Sequence, residues 1–202
     1  MSERKVILPG EKITDGKYKI PGSFVEGDAT YAAVAGMLDE GNRFIPLENK
    51  YRPFRDDVVV GVITDVRHAG YSVDLNLAND GFIPSRDISI RLELGDFVMC
   101  KIKSVNEVGD VDIGEVRRMP KGKVIPFPPA KVPRLVGRQS SMISMFEKYV
   151  GDIVVGKNGM VWISDKGNIP LTLKAIKIIE NEAHFPGLTD RIMNLFEEET
   201  KQ

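Results

Sequence analysis

The chain has 202 residues, 42% of them hydrophobic, and sets 28 Lys and Arg against 29 Asp and Glu for a formal net charge of −1. That length and apolar content suit two or three compact modules and exclude a disordered chain, and the balanced charge excludes a global basic field, so any surface for a polyanion must be local. The single cysteine, Cys100, excludes an internal disulfide framework and fits a reducing compartment. No apolar run reaches the roughly 18 residues of a membrane span, so a soluble, cytoplasmic protein without a membrane partner is expected.

Residues 1–53 hold short β-like runs, "KVILPGEKI", "TYAAVAGML" and "RFIPLENKY", bounded by Gly, Pro, Asn or Asp. They predict a small β-domain. Its eight basic and eight acidic residues cancel. So small a sheet buries little surface, which suggests a module that docks on a neighbour.

Residues 54–118 are more regular. Five strand-like runs, "DVVVGVITDVRH", "GYSVDLNL", "DGFIPSRD", "GDFVMCKIKSV" and "GDVDIGEV", are separated by Gly-containing turns. Tyr71, Val73, Leu75 and Leu77 alternate with Ser72, Asp74 and Asn76, and Val98, Cys100 and Ile102 repeat the pattern, as a sheet with one buried face requires. Five short strands of this kind predict a closed barrel of the OB type, because closure removes the exposed edges. The segment carries twelve acids and eight bases.

Residues 119–138 read as a Pro-rich basic linker. From Arg117 to Arg138 there are five prolines and seven basic residues, and no acid occurs from Val116 through Phe146. Proline removes backbone donors and fixes φ, so a semi-rigid extended connector is expected, either merely solvated or in contact with phosphates.

Residues 139–202 are mixed. "SSMISMFEKY" has helical spacing with Ser140 or Ser141 as N-cap, "GDIVVGKNGMVWISDKG" reads as two strands around a turn, and "LTLKAIKIIENEA" and "LTDRIMNLFEEE" read as helices, the second with Thr189 as N-cap. The fold expected is therefore multidomain and mainly β, with an α/β C-terminal part.

Catalytic chemistry is hard to find. His68 and His184 are far apart and have no further ligand at metal spacing, and neither a nucleophile elbow nor a phosphate loop ending in Lys-Ser/Thr is present. Asp110 and Asp112, two apart in "GDVDIGE", could form a carboxylate pair for a metal-dependent nuclease, but alternation with Val more simply makes them a solvated strand face. No metal or cofactor is expected. The loop Gly156, Lys157, Asn158, Gly159 has two readings. A G-x-x-G loop between helices clamps single-stranded RNA, whereas Gly-Lys-Asn-Gly between strands is hairpin chemistry, with Asn158 and Gly159 suited to φ > 0. The strand-like "MVWIS" that follows favours the hairpin.

Taken together these residues resemble a known family. "VVVGVITDVRHAGYSVDLNLANDGFIPSRDI" with "GDFVMCKIKSV" resembles an S1 RNA-binding domain, and "PRLVGRQSSMISMF" followed by "DIVVGKNGMVWI" resembles a divergent KH domain with a G-x-N-G signature. "VILPGEKI" is similar to the β-rich N-terminal domain of the same family. In this order the three modules look like the S1/KH cap subunit of the archaeal RNA exosome. The resemblance implies a small β N-terminal domain, an OB-fold S1 barrel and a divergent KH domain. It also implies a non-catalytic role, with three copies seated through their N-terminal domains on a hexameric ring of RNase PH-like subunits. Single-stranded RNA, A-rich tails included, would pass the S1 domains to be degraded by phosphorolysis from its 3′ end, with the G-x-N-G loop packed against the S1 domain.

The sequence departs from the S1 pattern in its second strand, where Ala69 and Ser72 occupy the usual aromatic slots around Tyr71, and in its third, where Pro84 replaces a histidine. Aromatic stacking contributes about 1 to 3 kcal/mol per base. Binding would then rest on Arg67, His68, Arg86, Lys101, Lys103, Arg117 and Arg118, extended by Lys121 and Lys123 and aided by Tyr71 and Phe82. The rival is a free S1-type RNA-binding protein acting in translation or as an RNA chaperone.

Overall fold

The computed structural model describes residues 5–18, 20, 22–38, 44–46, 50–183, 185 and 187–200. His184 lies outside the described residues. The chain divides into two compact units, residues 1–50 with 128–130, and residues 51–127 with 131–202.

In the first unit, β1 (Lys5–Ile7), β5 (Gly36–Leu38) and β6 (Phe44–Pro46) form one antiparallel sheet in the order β1-β5-β6. A second sheet, β2-β4-β3, joins β2 (Lys12–Asp15), β4 (Ala29–Ala32) and β3 (Ser23–Glu26). Ile7, Ala32 and Phe44, drawn from both sheets, form the unit's buried core, with Ile13, Ile20 and Leu38 partly buried around them. Strand β3 was not legible, because its exposed Phe24 and Val25 give no alternation.

The second unit begins before the expected boundary at residue 54. Tyr51 packs against the barrel core and donates its hydroxyl to Asp57 at 2.7 Å. The barrel is closed, in the order β10-β11-β9-β8-β7, from β7 (Val58–Arg67), β8 (Gly70–Asp74), β9 (Gly81–Pro84), β10 (Phe97–Val105) and β11 (Val111–Arg118). Neighbours are antiparallel except β11 and β9, which run parallel and close the barrel in OB fashion. The alternation seen in the sequence is the core: Val73, Leu75, Val98, Cys100 and Ile102 are buried with Val59, Ile63, Ile83 and Ile113. Burial pushes the Cys100 thiol up to about 12, so it stays a neutral core side chain.

The expected linker is not a linker. Gly122–Pro126 is strand β12, and Val132–Val136 is helix α1. The prolines are absorbed at element edges, where no donor is needed: Pro126 ends the strand and Pro133 lies in the first turn of the helix. Helix α2 (Ser141–Tyr149), strands β13 (Ile153–Val155) and β14 (Met160–Ser164), and helices α3 (Ile169–Glu182) and α4 (Leu188–Thr200) complete an α/β part whose sheet order is β12-β14-β13. The expected caps differ. Ser140 stands before α2 in a left-handed conformation and makes no side-chain cap, and Thr189 lies inside α4. Asn168, unmarked in the sequence, caps α3 by accepting from the Leu171 N–H at 3.1 Å.

This sheet is covered on both faces. Val161, Ile163, Ile153 and Ile125 point to a core shared with Phe146, Ile176, Ile179, Ile192 and Phe196 of the helices. Trp162, Met160, Val154 and Val124 point the other way, against Val60, Val62, Phe97 and Met99 of the barrel. Every residue of β14 is consequently buried. Among the described residues no helix is long and apolar enough to cross a membrane.

Candidate nucleic-acid interface

The glycine loop is a hairpin turn turned inward. The Gly156 N–H donates to the Met160 carbonyl at 2.9 Å and the Gly159 N–H to the Gly156 carbonyl at 3.0 Å, joining β13 to β14. Within the loop only Gly159 has a positive φ, 78°, so Asn158 does not share the left-handed conformation expected of it. Asn158 is instead fully buried against the barrel wall. Its Oδ1 accepts from the Val60 N–H at 3.2 Å, and its Nδ2 donates to the carbonyls of Val60 at 2.7 Å and Leu75 at 2.8 Å. Pairing of β7 with β8 ends at Val62 and Asp74, so the Asn158 amide takes the place of a missing ladder bond between β7 and the chain just beyond β8.

Lys157 completes the clasp. Its N–H donates to the Val58 carbonyl at 3.0 Å and its ammonium to Asp57 Oδ1 at 2.7 Å. Burial by itself would raise the Asp57 pKa, but the hydrogen bonds from Lys157 and Tyr51 and the Lys157 charge outweigh it and hold the carboxyl below its ordinary value. Burial, and then the bond to Asp57, push the Tyr51 phenol far upward. A depressed carboxyl contributes stability that is present above its unfolded pKa of about 3.9 and is lost as pH falls through the folded value. Acid titration of folding should therefore show a loss below about pH 4, and Asp57→Asn should flatten that segment; an unchanged acid limb in the variant would contradict the clasp.

The predicted cations fall into two groups. At one end of the barrel Arg67, Gly70 and Pro84 are register partners across β7, β8 and β9. The Ser85 N–H donates to the Ala69 carbonyl at 3.0 Å, and its hydroxyl to that of His68 at 3.2 Å. This gathers Arg67, His68 and Arg86 around the β7–β8 turn. Phe82 lies beside them, 38% exposed, its ring over Gly70, where an added Cβ would come within 2.7 Å of the ring. Tyr71 does not join Phe82. It shares the inward parity of Val73 and Leu75 and packs, half-buried, on the barrel core, on the face opposite Phe82.

Most barrel cations are already paired. Arg67 bonds Asp65 at 2.5 Å, Arg86 and Lys103 both approach Asp87, at 3.6 and 3.5 Å, and Arg118 bonds Asp96 at 2.8 Å. Lys101 sits between Asp56 at 3.2 Å and Glu115 at 3.5 Å, in a cleft of about 430 Å³. Arg117, Lys121 and Lys123 differ: they are exposed and have no ion-pair partner among the described residues. They follow one another along the passage from β11 to β12.

The hairpin favoured by the sequence is therefore found at Gly156–Gly159, and a helix-joining turn lies elsewhere. The turn between two helices is Gly137 to Ser140, between α1 and α2, where Gly137, Gln139 and Ser140 all have positive φ. Arg134 and Arg138 there are exposed and without ion-pair partners among the described residues. The order strand, helix, helix, strand, strand, helix, helix was the signal, and it was hidden by reading β12 and α1 as linker.

Both members of the acidic pair are engaged in hydrogen bonds. Asp110 accepts from Asn79 and Asn106, Asp112 accepts from Ser104, and no group of three potential ligands occurs among the described residues.

Comparison with known proteins was decisive for the family, although no family model matches. The exosome complex component Rrp4 of Pyrococcus abyssi is 35% identical over 96% of this chain and 83% of its own length. Its counterpart in Methanothermus fervidus is 34% identical over 95% of both chains. The chain belongs to the Rrp4 family of exosome complex components. The Rrp4 of Thermofilum pendens agrees, at 34% identity over 98% of this chain and 94% of its own. A crystal structure described as an exosome complex RNA-binding protein superposes with a TM-score of 0.65 at 30% identity, covering 75% of this chain and 97% of that one. As in the sequence-level resemblance, Rrp4 membership rests on nearly the whole chain.

Proposed function

We propose that the chain is a non-catalytic, cytoplasmic RNA-binding cap subunit of the exosome. In this reading the barrel is the S1 domain and the α/β part a divergent KH domain whose Gly156–Gly159 loop is structural. Three copies seat through their N-terminal β-domains on a hexameric RNase PH-like ring and pass single-stranded RNA, A-rich tails among it, to phosphorolysis. The observation that carries the RNA-binding part is the end of the barrel where the exposed ring of Phe82 lies over Gly70, the register partner of Arg67, with His68 and Arg86 in the adjoining turns. Arg67 and Arg86 are strongly exposed, and their surface ion pairs, worth about 0 to 1 kcal/mol, can be exchanged for phosphates while the ring stacks a base, the combination single-strand binders use.

The test is an anisotropy titration of the full chain with labelled single-stranded RNA at two salt concentrations. Binding should weaken with salt, and Phe82→Ala should lower affinity roughly five- to fiftyfold, about 1 to 2.5 kcal/mol for one stacked base. An unaltered affinity in Phe82→Ala would remove the barrel end from the interface.

A further inference from the structure

One row of side chains across the barrel does not fit a simple phosphate-binding face. Asp65, Ser72, Phe82, Asp112 and Ser104 are successive register partners across β7, β8, β9, β11 and β10. Residues aligned in this way point to one face, with neighbouring strands about 4.8 Å apart. The row holds an exposed aromatic ring and two carboxylates, and no cation. Asp65 is neutralised by Arg67. Asp112 is exposed, its Oδ2 accepts from the Ser104 hydroxyl at 2.7 Å, and its Oδ1 has no hydrogen bond among the described residues.

We propose that Asp112 makes this face selective for nucleobases bearing an exocyclic amino group. The inference rests on the RNA-binding reading above. A phosphate cannot settle beside an unpaired carboxylate, so the backbone lies toward Arg67, His68 and Arg86. A base stacked on Phe82 then presents its edge to Asp112. Adenine N6, cytosine N4 and the guanine N1–H and N2 edge can donate to the free Oδ1, as carboxylates accept from cytosine N4 in other complexes. Uracil offers one N–H flanked by two carbonyl oxygens, which the carboxylate repels. Discrimination therefore follows the amino group and not the size of the ring: adenine and cytosine stand together against uracil.

The full chain is titrated with labelled oligo(A), oligo(C) and oligo(U) at one low salt concentration, beside Asp112→Asn. That variant keeps the shape and the Ser104 contact, and its amide can face either kind of edge. Wild-type protein should bind oligo(A) and oligo(C) roughly three- to tenfold more tightly than oligo(U), the range of one exposed charge-assisted hydrogen bond, and the gap should close in Asp112→Asn chiefly through tighter oligo(U) binding. Equal binding of all three, a gap that persists in the variant, or oligo(C) as weak as oligo(U) overturns the inference and leaves RNA binding standing. No binding of any oligomer overturns the RNA-binding reading itself, and this inference with it.

Discussion

Asn158→Ala should destabilise the barrel and α/β unit by about 3 to 5 kcal/mol, because it removes a fully buried side chain with three hydrogen bonds. The substitution strips partners from the Val60 N–H and from the carbonyls of Val60 and Leu75 at once, in a contact from which Asn158 excludes water. A buried polar group left unpaired costs about 1 to 3 kcal/mol, and water entering the vacated space recovers part of the sum. Against a typical total of about 5 to 15 kcal/mol the loss is large. Asn158→Asp should do no better, since a carboxylate can accept from Val60 but faces two carbonyl oxygens. Urea unfolding followed by Trp162 fluorescence gives the measurement. Trp162 is the only tryptophan and is buried where sheet and barrel meet, so its emission should also shift red in the native variant. A wild-type midpoint with unshifted emission would show that the loop does not hold the two parts together.

Replacing Arg117, Lys121 and Lys123 together by Ala should lower affinity for single-stranded RNA roughly ten- to a hundredfold and make the slope of log K against log salt less negative by about 2, as expected if three phosphate contacts of about 0.7 each are lost. Among the predicted arginines and lysines, these three are exposed and have no carboxylate partner among the described residues, so no ion pair has to be broken first. Arg118→Ala is the contrast. Arg118 is bound at 2.8 Å to Asp96, a carboxylate only 15% exposed that would be left unpaired, so it is held more firmly than the open Arg67–Asp65 pair, and its removal should leave the slope near the wild-type value. Exposed, unpaired side chains contribute little to folding, so the triple variant should unfold within about 0.5 kcal/mol of wild type. An unchanged salt slope in the triple variant would take the β11–β12 passage out of the RNA path.

The barrel was legible because its physics is local. Each strand buries one face, so Val73, Leu75, Val98, Cys100 and Ile102 announce themselves by alternation. The same parity sets Tyr71 with Val73 and Leu75, half-buried against the core and apart from Phe82. Strand β12 was illegible for the opposite reason. Its one lysine and one proline lie in a basic, Pro-rich stretch that looks like a connector, and only pairing with β14, some forty residues on, makes it a strand. The Asn158 clasp depends on partners 98 and 83 residues away, which no local pattern encodes. Pairing also sorted the candidate cations. Sequence proximity could nominate Arg67, Arg86, Lys101, Lys103 and Arg118, but only the folded arrangement shows that acids already occupy them.

The most direct test of the cap assignment is the mass and composition of the particle in which the chain resides. The tagged protein is purified from native lysate at moderate salt, its companions are identified, and the molar mass of the eluted particle is measured. Co-elution with RNase PH-like proteins, in a particle large enough for a hexameric ring and three copies of this chain, is the result predicted. Elution alone, or with ribosomal proteins, would contradict the cap and leave a free RNA-binding protein.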